Sequence, residues 1–117
     1  MGPRILVVDD DPYLLQILVT VLTDAGYDVH QAQDGLTALE AIGDAPPDLV
    51  LSDVRMPRLD GLALAETLAA RAVTIPVILM SSAHNAPDGH RTPFLAKPFD
   101  LDHLLLVITQ TLADAPE

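Results

Sequence analysis

Asp9-Asp10-Asp11, Asp53, Ser81 and Lys97 are the residues of this 117-residue chain whose types and spacing could do chemistry. The three aspartates follow directly on Ile5-Leu6-Val7-Val8. Carboxylates repel one another, so a run of them needs a reason. Helix capping supplies one for Asp11, because Asp11-Pro12 is a good N-cap and first-turn pair. It supplies none for Asp9 and Asp10. A cation does, and the carboxyl ends of parallel strands are where open α/β sheets bind ligands. Asp53 closes a second buried-strand run, the apolar Leu49-Val50-Leu51 followed by Ser52. Three carboxylates around one point call for Mg²⁺, Mn²⁺ or Ca²⁺, or for one of them to hold a proton. A lysine acts on phosphate as a point charge, and a serine hydroxyl can donate to a phosphate oxygen. An aspartate in such company can act as the nucleophile and form an acyl phosphate.

The elements that must position these residues alternate along the chain. Arg4–Val8 reads as a strand, aliphatic and buried on both faces. Pro12–Ala25 carries Leu14, Leu15, Ile17, Leu18, Val21 and Leu22 at helical spacing, and Gly26 stops it. Tyr27–Ala32 is a short, weak strand. Leu36–Ile42 is a helix opened by Asp34. Leu49–Ser52 is a strand leading into Asp53, and Leu62–Ala70 is an Ala/Leu-rich helix. Pro76–Met80 and Phe94–Ala96 are strands. Leu101–Leu112 is a helix capped by Asp100, with its limits near 100 and 113. Strands alternating with helices predict a doubly wound, five-stranded parallel α/β sheet covered on both faces. Right-handed crossovers then carry Asp9, Asp10, Asp53, Ser81 and Lys97 to one edge, each just past a strand's carboxyl end. Pro57 and Asp60-Gly61 are turn chemistry between Asp53 and the next helix, with Gly61 expected at positive φ.

The stretch from Ala83 to Pro93 breaks the alternation. Its longest proline-free run, Asp88–Thr92, is far short of the about 11 residues of an ordinary helix. The fourth helix is expected to be missing or reduced to a turn, and residues 83–92 to be mobile.

Composition narrows the function classes. The length is that of one compact domain, expected to occupy residues 1–117, and half the residues are apolar. Cysteine is absent, which removes disulfides, thiolate metal sites and a thiol nucleophile and suits a reducing cytoplasm. With Met1 leading straight into Pro3 and the first strand, no signal peptide is expected, and no apolar run approaches a membrane span. A formal charge of −11 makes direct nucleic-acid binding by this domain unexpected. In that acidic background Lys97 is the single lysine. His30, His84, His90 and His103 are scattered without ligand spacing and read as surface or loop residues. Met56 and Met80 read as packing, and Arg55 and Arg58 as solvated loop arginines.

The Val7-Val8-Asp9-Asp10-Asp11-Pro12 start, Asp53 with Met56-Pro57 and Asp60-Gly61, Ser81, and Lys97-Pro98-Phe99 occur together in one order. In this the chain resembles the receiver domain of two-component response regulators over essentially its whole length. The resemblance implies a flavodoxin-like sheet of order 2-1-3-4-5 and a phosphorylation-dependent signalling module rather than a turnover enzyme, with only slow self-dephosphorylation. It implies that Asp53 accepts a phosphoryl group from a histidine kinase or phosphotransfer protein. Mg²⁺, or Mn²⁺, is then held by Asp10, Asp53 and the Arg55 backbone carbonyl, with Asp9 direct or through water. Lys97 pairs with a phosphoryl oxygen, Ser81 hydrogen-bonds another, and Phe94 is the switch aromatic that follows. The output passes to a downstream protein or effector domain whose identity is open. Ser82, where Ala or Gly is usual, Phe94, where Tyr is commoner, and the degraded fourth helix depart from the pattern. Two other readings stand beside this one. One is a haloacid-dehalogenase-like phosphatase using Asp9, with Asp11 as general acid. The other is a pseudo-receiver acting by constitutive binding.

Overall fold

The computed structural model describes residues 2–56, 58–71, 73–81, 94–96 and 100–114, with only the backbone given for Phe94, Ala96 and Asp114. Its elements run β1 (Arg4–Val8), α1 (Pro12–Asp24), β2 (Asp28–Ala32), α2 (Gly35–Asp44), β3 (Leu49–Asp53), α3 (Gly61–Ala70), β4 (Val77–Ser81), β5 (Phe94–Ala96) and α4 (Leu101–Asp114). All strand pairs are parallel, in the order β2-β1-β3-β4-β5. The expected loss of the fourth helix and the expected mobility of residues 83–92 fall outside the described residues.

The apolar runs become strands because both faces of the sheet are covered. Successive side chains of a strand point to opposite faces. Ile5 and Val7 therefore pack with Leu15, Leu18 and Leu22 of α1 and Leu104 and Ile108 of α4. Leu6 and Val8 pack on the other face with Ala38 and Ile42 of α2 and Leu64 and Leu68 of α3. Every residue of β3 and β4 is buried. The edge strand β2 is exposed at Asp28, His30 and Gln31, which is why its sequence signal is weak. Among the described residues no helix is long and apolar enough to cross a membrane.

Caps set the helix starts. The Asp11 carboxylate accepts from Tyr13 N–H at 3.0 Å and Leu14 N–H at 3.4 Å. Asp34 accepts from Thr37 N–H, and Asp60 from Ala63 N–H, both at 2.8 Å. Asp100 accepts from Asp102 N–H at 2.9 Å. Each satisfies a backbone donor that the first helical turn leaves without a partner. The caps explain two of the boundary differences. Because Asp34 and Asp60 are the caps, α2 and α3 begin at Gly35 and Gly61, one residue earlier than hydrophobic periodicity predicts. The fourth strand is shifted by one and ends on Ser81.

The start of β1 is tied to β2 by an ion pair, Arg4 Nε to Asp28 Oδ2 at 3.3 Å. His30 Nε2 lies 3.4 Å from the other Asp28 oxygen. The Arg4 guanidinium, with His30 beside it, holds the Asp28 carboxyl below its ordinary value of 3.8. A carboxyl depressed in the folded state stabilises the fold above the unfolded value, and that contribution disappears as pH falls through the folded one. Asp28→Asn is thus expected to lower the urea midpoint at pH 7, and this loss is expected to shrink at a pH well below 3.8 as the folded-state carboxyl takes up its proton. An equal loss at both pH values would assign the effect to packing instead.

Candidate functional site

The register of the sheet brings the aspartates together. Val8 pairs with Ser52 across β1 and β3. Asp9, just past the β1 end, and Asp53, the last residue of β3, therefore leave the sheet side by side. Carboxylate oxygens of Asp9, Asp10 and Asp53 all lie within 4.8 Å of one another. Asp9 and Asp53 are buried, and Asp10 is exposed at the rim. Asp11 turns away to cap α1, and its own N–H donates to Asp9 Oδ1 at 2.9 Å. One acid of the triplet thus orients another.

Ser81 ends β4, buried, one strand beyond Asp53, which pairs with Met80. Ser81 in turn pairs with Ala96 of β5. Asp53 and Ser81 are the terminal residues of their strands rather than the first residues beyond them, so the sheet itself fixes their backbones. Phe94 opens β5. Lys97 lies outside the described residues. Arg55 is exposed on the β3–α3 loop. His30 and His103 are exposed, Met80 is buried in the core, and Met56 packs against it on the α2/α3 face. His84 and His90 lie outside the described residues.

The loop after Asp53 is anchored at several points. Val54 N–H donates to Met80 carbonyl at 2.8 Å, and Gly61 N–H closes the loop on Val54 carbonyl at 2.8 Å. Ser52 Oγ donates to the Asp53 carbonyl at 2.9 Å. The turn chemistry differs from expectation here. Gly61 does not take a positive φ; Arg58 does, at 70°. Glycine is required at position 61 for another reason: a Cβ there would overlap the Asp53 carbonyl oxygen and come within 3.1 Å of Leu79 Cδ2. Helix α3 starts directly against the backbone of Asp53. Arg58 is no free solvated arginine, since Arg58 Nη2 lies 3.3 Å from Asp34 Oδ1. The Thr37 N–H, and secondarily Arg58, hold the Asp34 carboxyl below its ordinary value. Neither the Gly61 approach nor the Arg58–Asp34 pair has a signature in the local sequence.

The acid set fits a small hard cation. Ligand oxygens about 2.1 Å from Mg²⁺ are about 3.0 Å apart when adjacent and about 4.2 Å apart when opposite, so carboxylate oxygens already within 4.8 Å of one another need draw in by less than about 2 Å. The exposed position of Asp10 leaves one side open to an incoming group.

A parallel sheet of this order is a doubly wound α/β module, and its acids gather at the carboxyl edge, where open sheets of this kind bind ligands. The response regulator receiver domain family matches residues 5–109, and the chain belongs to that family. Receiver domains are the regulatory modules of two-component response regulators. The chain is 36 % identical over 115 residues to the regulatory protein AtoC of Escherichia coli K12, covering 93 % of this chain and 25 % of AtoC. It is 39 % identical over 111 residues to the response regulator MprA of Mycobacterium sp. KMS, covering 90 % of this chain and 48 % of MprA. The chain thus spans half or less of these relatives. The receiver domain of the Francisella response regulator 1452 aligns with a TM-score of 0.88 at 30 % identity, over 96 % of this chain and 98 % of that one. The receiver domain of NtrX from Brucella abortus aligns with a TM-score of 0.84 at 34 % identity, over 95 % and 99 %.

Proposed function

We propose that residues 1–117 form a single receiver domain in which Asp53 is phosphorylated by a histidine kinase or phosphotransfer protein. The observation that carries this reading is the meeting of Asp9, Asp10 and Asp53 oxygens at one sheet edge, within 4.8 Å. An Asp53 carboxylate oxygen attacks the phosphorus of a phosphohistidine. The phosphorus–nitrogen bond breaks, its electron pair returns to the imidazole, and that ring nitrogen takes up a proton. Asp10, Asp53 and the Arg55 backbone carbonyl hold the cation, with Asp9 direct or through water. Bound there, Mg²⁺ or Mn²⁺ offsets the negative charge on the phosphoryl oxygens. Lys97 takes one of those oxygens as an ion pair, and Ser81 donates a hydrogen bond to another. Phe94, on the strand paired to Ser81, follows that movement and carries the change to the surface.

The domain acts in the cytoplasm, as a switch rather than as a turnover enzyme. The relatives named DNA-binding transcriptional regulator NtrC and regulatory protein AtoC extend well beyond the matched part. By analogy the output goes to an effector domain or a downstream protein, without direct nucleic-acid contact by the receiver domain. The phosphatase reading is disfavoured by Asp11, whose carboxylate is engaged as the α1 cap rather than standing beside Asp9 as a general acid.

Acetyl phosphate with Mg²⁺, followed by intact and peptide mass analysis, tests the proposal. The expected product gains one phosphoryl group, roughly 80 Da, on the peptide containing Asp53. An adduct on Asp9 would instead support the phosphatase, and no Mg²⁺-dependent adduct would support a pseudo-receiver.

A further inference from the structure

The loop that leaves Asp53 is held from a helix that contributes no acid to the cluster. Among the described residues Arg58 is the one non-glycine at positive φ. That conformation is unfavourable for a side chain with a Cβ and persists where the surroundings over-determine it. Two contacts supply the constraint, and both come from the start of α2. One is the Arg58–Asp34 ion pair at 3.3 Å, with Arg58 about half exposed and Asp34 largely covered. The other is Gly35, where a Cβ would overlap the Leu59 carbonyl oxygen and approach Leu59 Cβ to 2.7 Å. Asp34 is itself fixed, because the same Oδ1 accepts Thr37 N–H at 2.8 Å. The middle of the loop is therefore clamped to α2, while its ends are pinned by Val54 and Gly61.

We propose that the Arg58–Asp34 pair, with the Leu59–Gly35 approach, is a positioning clamp that sets the Mg²⁺ affinity of the site by fixing the β3–α3 loop. This rests on the proposed reading, in which the Arg55 carbonyl of that loop is a cation ligand. Arg58 touches neither cation nor phosphoryl group. It holds the segment that presents the ligand, so freeing it spreads the loop over conformations of which only a fraction bind.

Direct charge effects and positioning make opposite predictions for one of the two partners. Losing the Arg58 charge should strengthen cation binding if charge acts through space, and losing the Asp34 charge should weaken it. A clamp instead makes both losses weaken binding, and makes the second loss redundant after the first. Calorimetric titration with MgCl₂ at low ionic strength separates the cases, using wild type, Arg58→Gln, Asp34→Asn and the double variant. Asparagine caps a helix about as well as aspartate, so Asp34→Asn removes the charge and leaves the cap. Each single variant is expected to weaken Mg²⁺ binding by about threefold, the scale of an exposed ion pair's coupling, and the double variant by the same threefold rather than ninefold. The half-saturating Mg²⁺ for phosphorylation by acetyl phosphate should rise in step, with the rate at saturating Mg²⁺ unchanged. Arg58→Gln binding Mg²⁺ as tightly as wild type, or more tightly, overturns the clamp while wild-type phosphorylation leaves the receiver reading standing. Wild type taking up neither Mg²⁺ nor phosphoryl groups overturns both.

Discussion

Asp53→Asn, incubated with acetyl phosphate and Mg²⁺, is expected to gain no phosphoryl adduct and, in EDTA, to melt a few degrees above wild type. The two outcomes follow from one fact, the closeness of three carboxylates of which two are buried. The amide nitrogen and the remaining amide oxygen form a poor nucleophile, so the proposed phosphoryl acceptor is gone. The charge also leaves a cluster that repels itself. The oxygens lie no more than 4.8 Å apart, and two unit charges at that separation repel by roughly 3.5 kcal/mol at an effective dielectric of about 20, before screening, relaxation and the other contacts of Asp9 and Asp53 reduce it. A gain of about 1 kcal/mol is expected, equivalent to about 4 °C for a domain of this size. Mg²⁺ should reverse the ranking. A ligand that binds only the folded state stabilises it by about 2.7 kcal/mol at a hundred times its dissociation constant, and wild type alone keeps the full acid set. Melting curves of both proteins with EDTA and with Mg²⁺ provide the check. A variant that melts lower than wild type in EDTA would mean that the cluster is not under repulsion, and the argument for a cation would lose its physical basis.

The parts of the site that were legible in advance are those written in short-range pattern. Ile5–Val8 and Leu49–Leu51 are apolar without interruption, so they had to be strands covered on both faces, and the parallel order then put Asp9 beside Asp53. Asp11, Asp34 and Asp100 read as caps from their positions ahead of amphipathic runs, and each caps a helix start. What was not legible is long-range. Asp60-Gly61 looked like a turn dipeptide demanding positive φ, whereas Asp60 is a cap and Gly61 is squeezed by a strand eight residues away. Local propensity cannot report a distance between two backbones. Arg58 and Asp34 are 24 positions apart, and no periodicity links the loops that carry them. The acids announce the site, and glycines and an ion pair spread over three elements position it.

Gly61→Ala should show how strict that positioning is. In an ordinary helix the change stabilises, since alanine exceeds glycine in helix propensity by about 1 kcal/mol and restricts the unfolded chain. Gly43 in α2 provides the reference, because a Cβ there meets nothing within 4 Å. Gly43→Ala is expected to raise the melting temperature by about 2–4 °C. At Gly61 the added methyl meets a backbone carbonyl, which has no rotamer to adopt. Either Asp53 shifts or α3 does, and α3 is anchored by Leu64 and Leu68, both buried against the sheet. Overpacking of this kind costs about 1–3 kcal/mol. The net expectation is a loss of about 2 kcal/mol, or about 8 °C, in spite of the propensity gain. Function should suffer beyond stability, because the atom displaced is the carbonyl of the residue proposed to accept the phosphoryl group. At a temperature where the variant remains folded, its phosphorylation rate should fall at least about tenfold, as expected when a reacting group moves by a fraction of an ångström to about 1 Å. If Gly61→Ala instead melts higher, as Gly43→Ala should, and is phosphorylated at the wild-type rate, then the approach of α3 to Asp53 does not constrain the site. The β3–α3 loop alone would then have to carry its geometry.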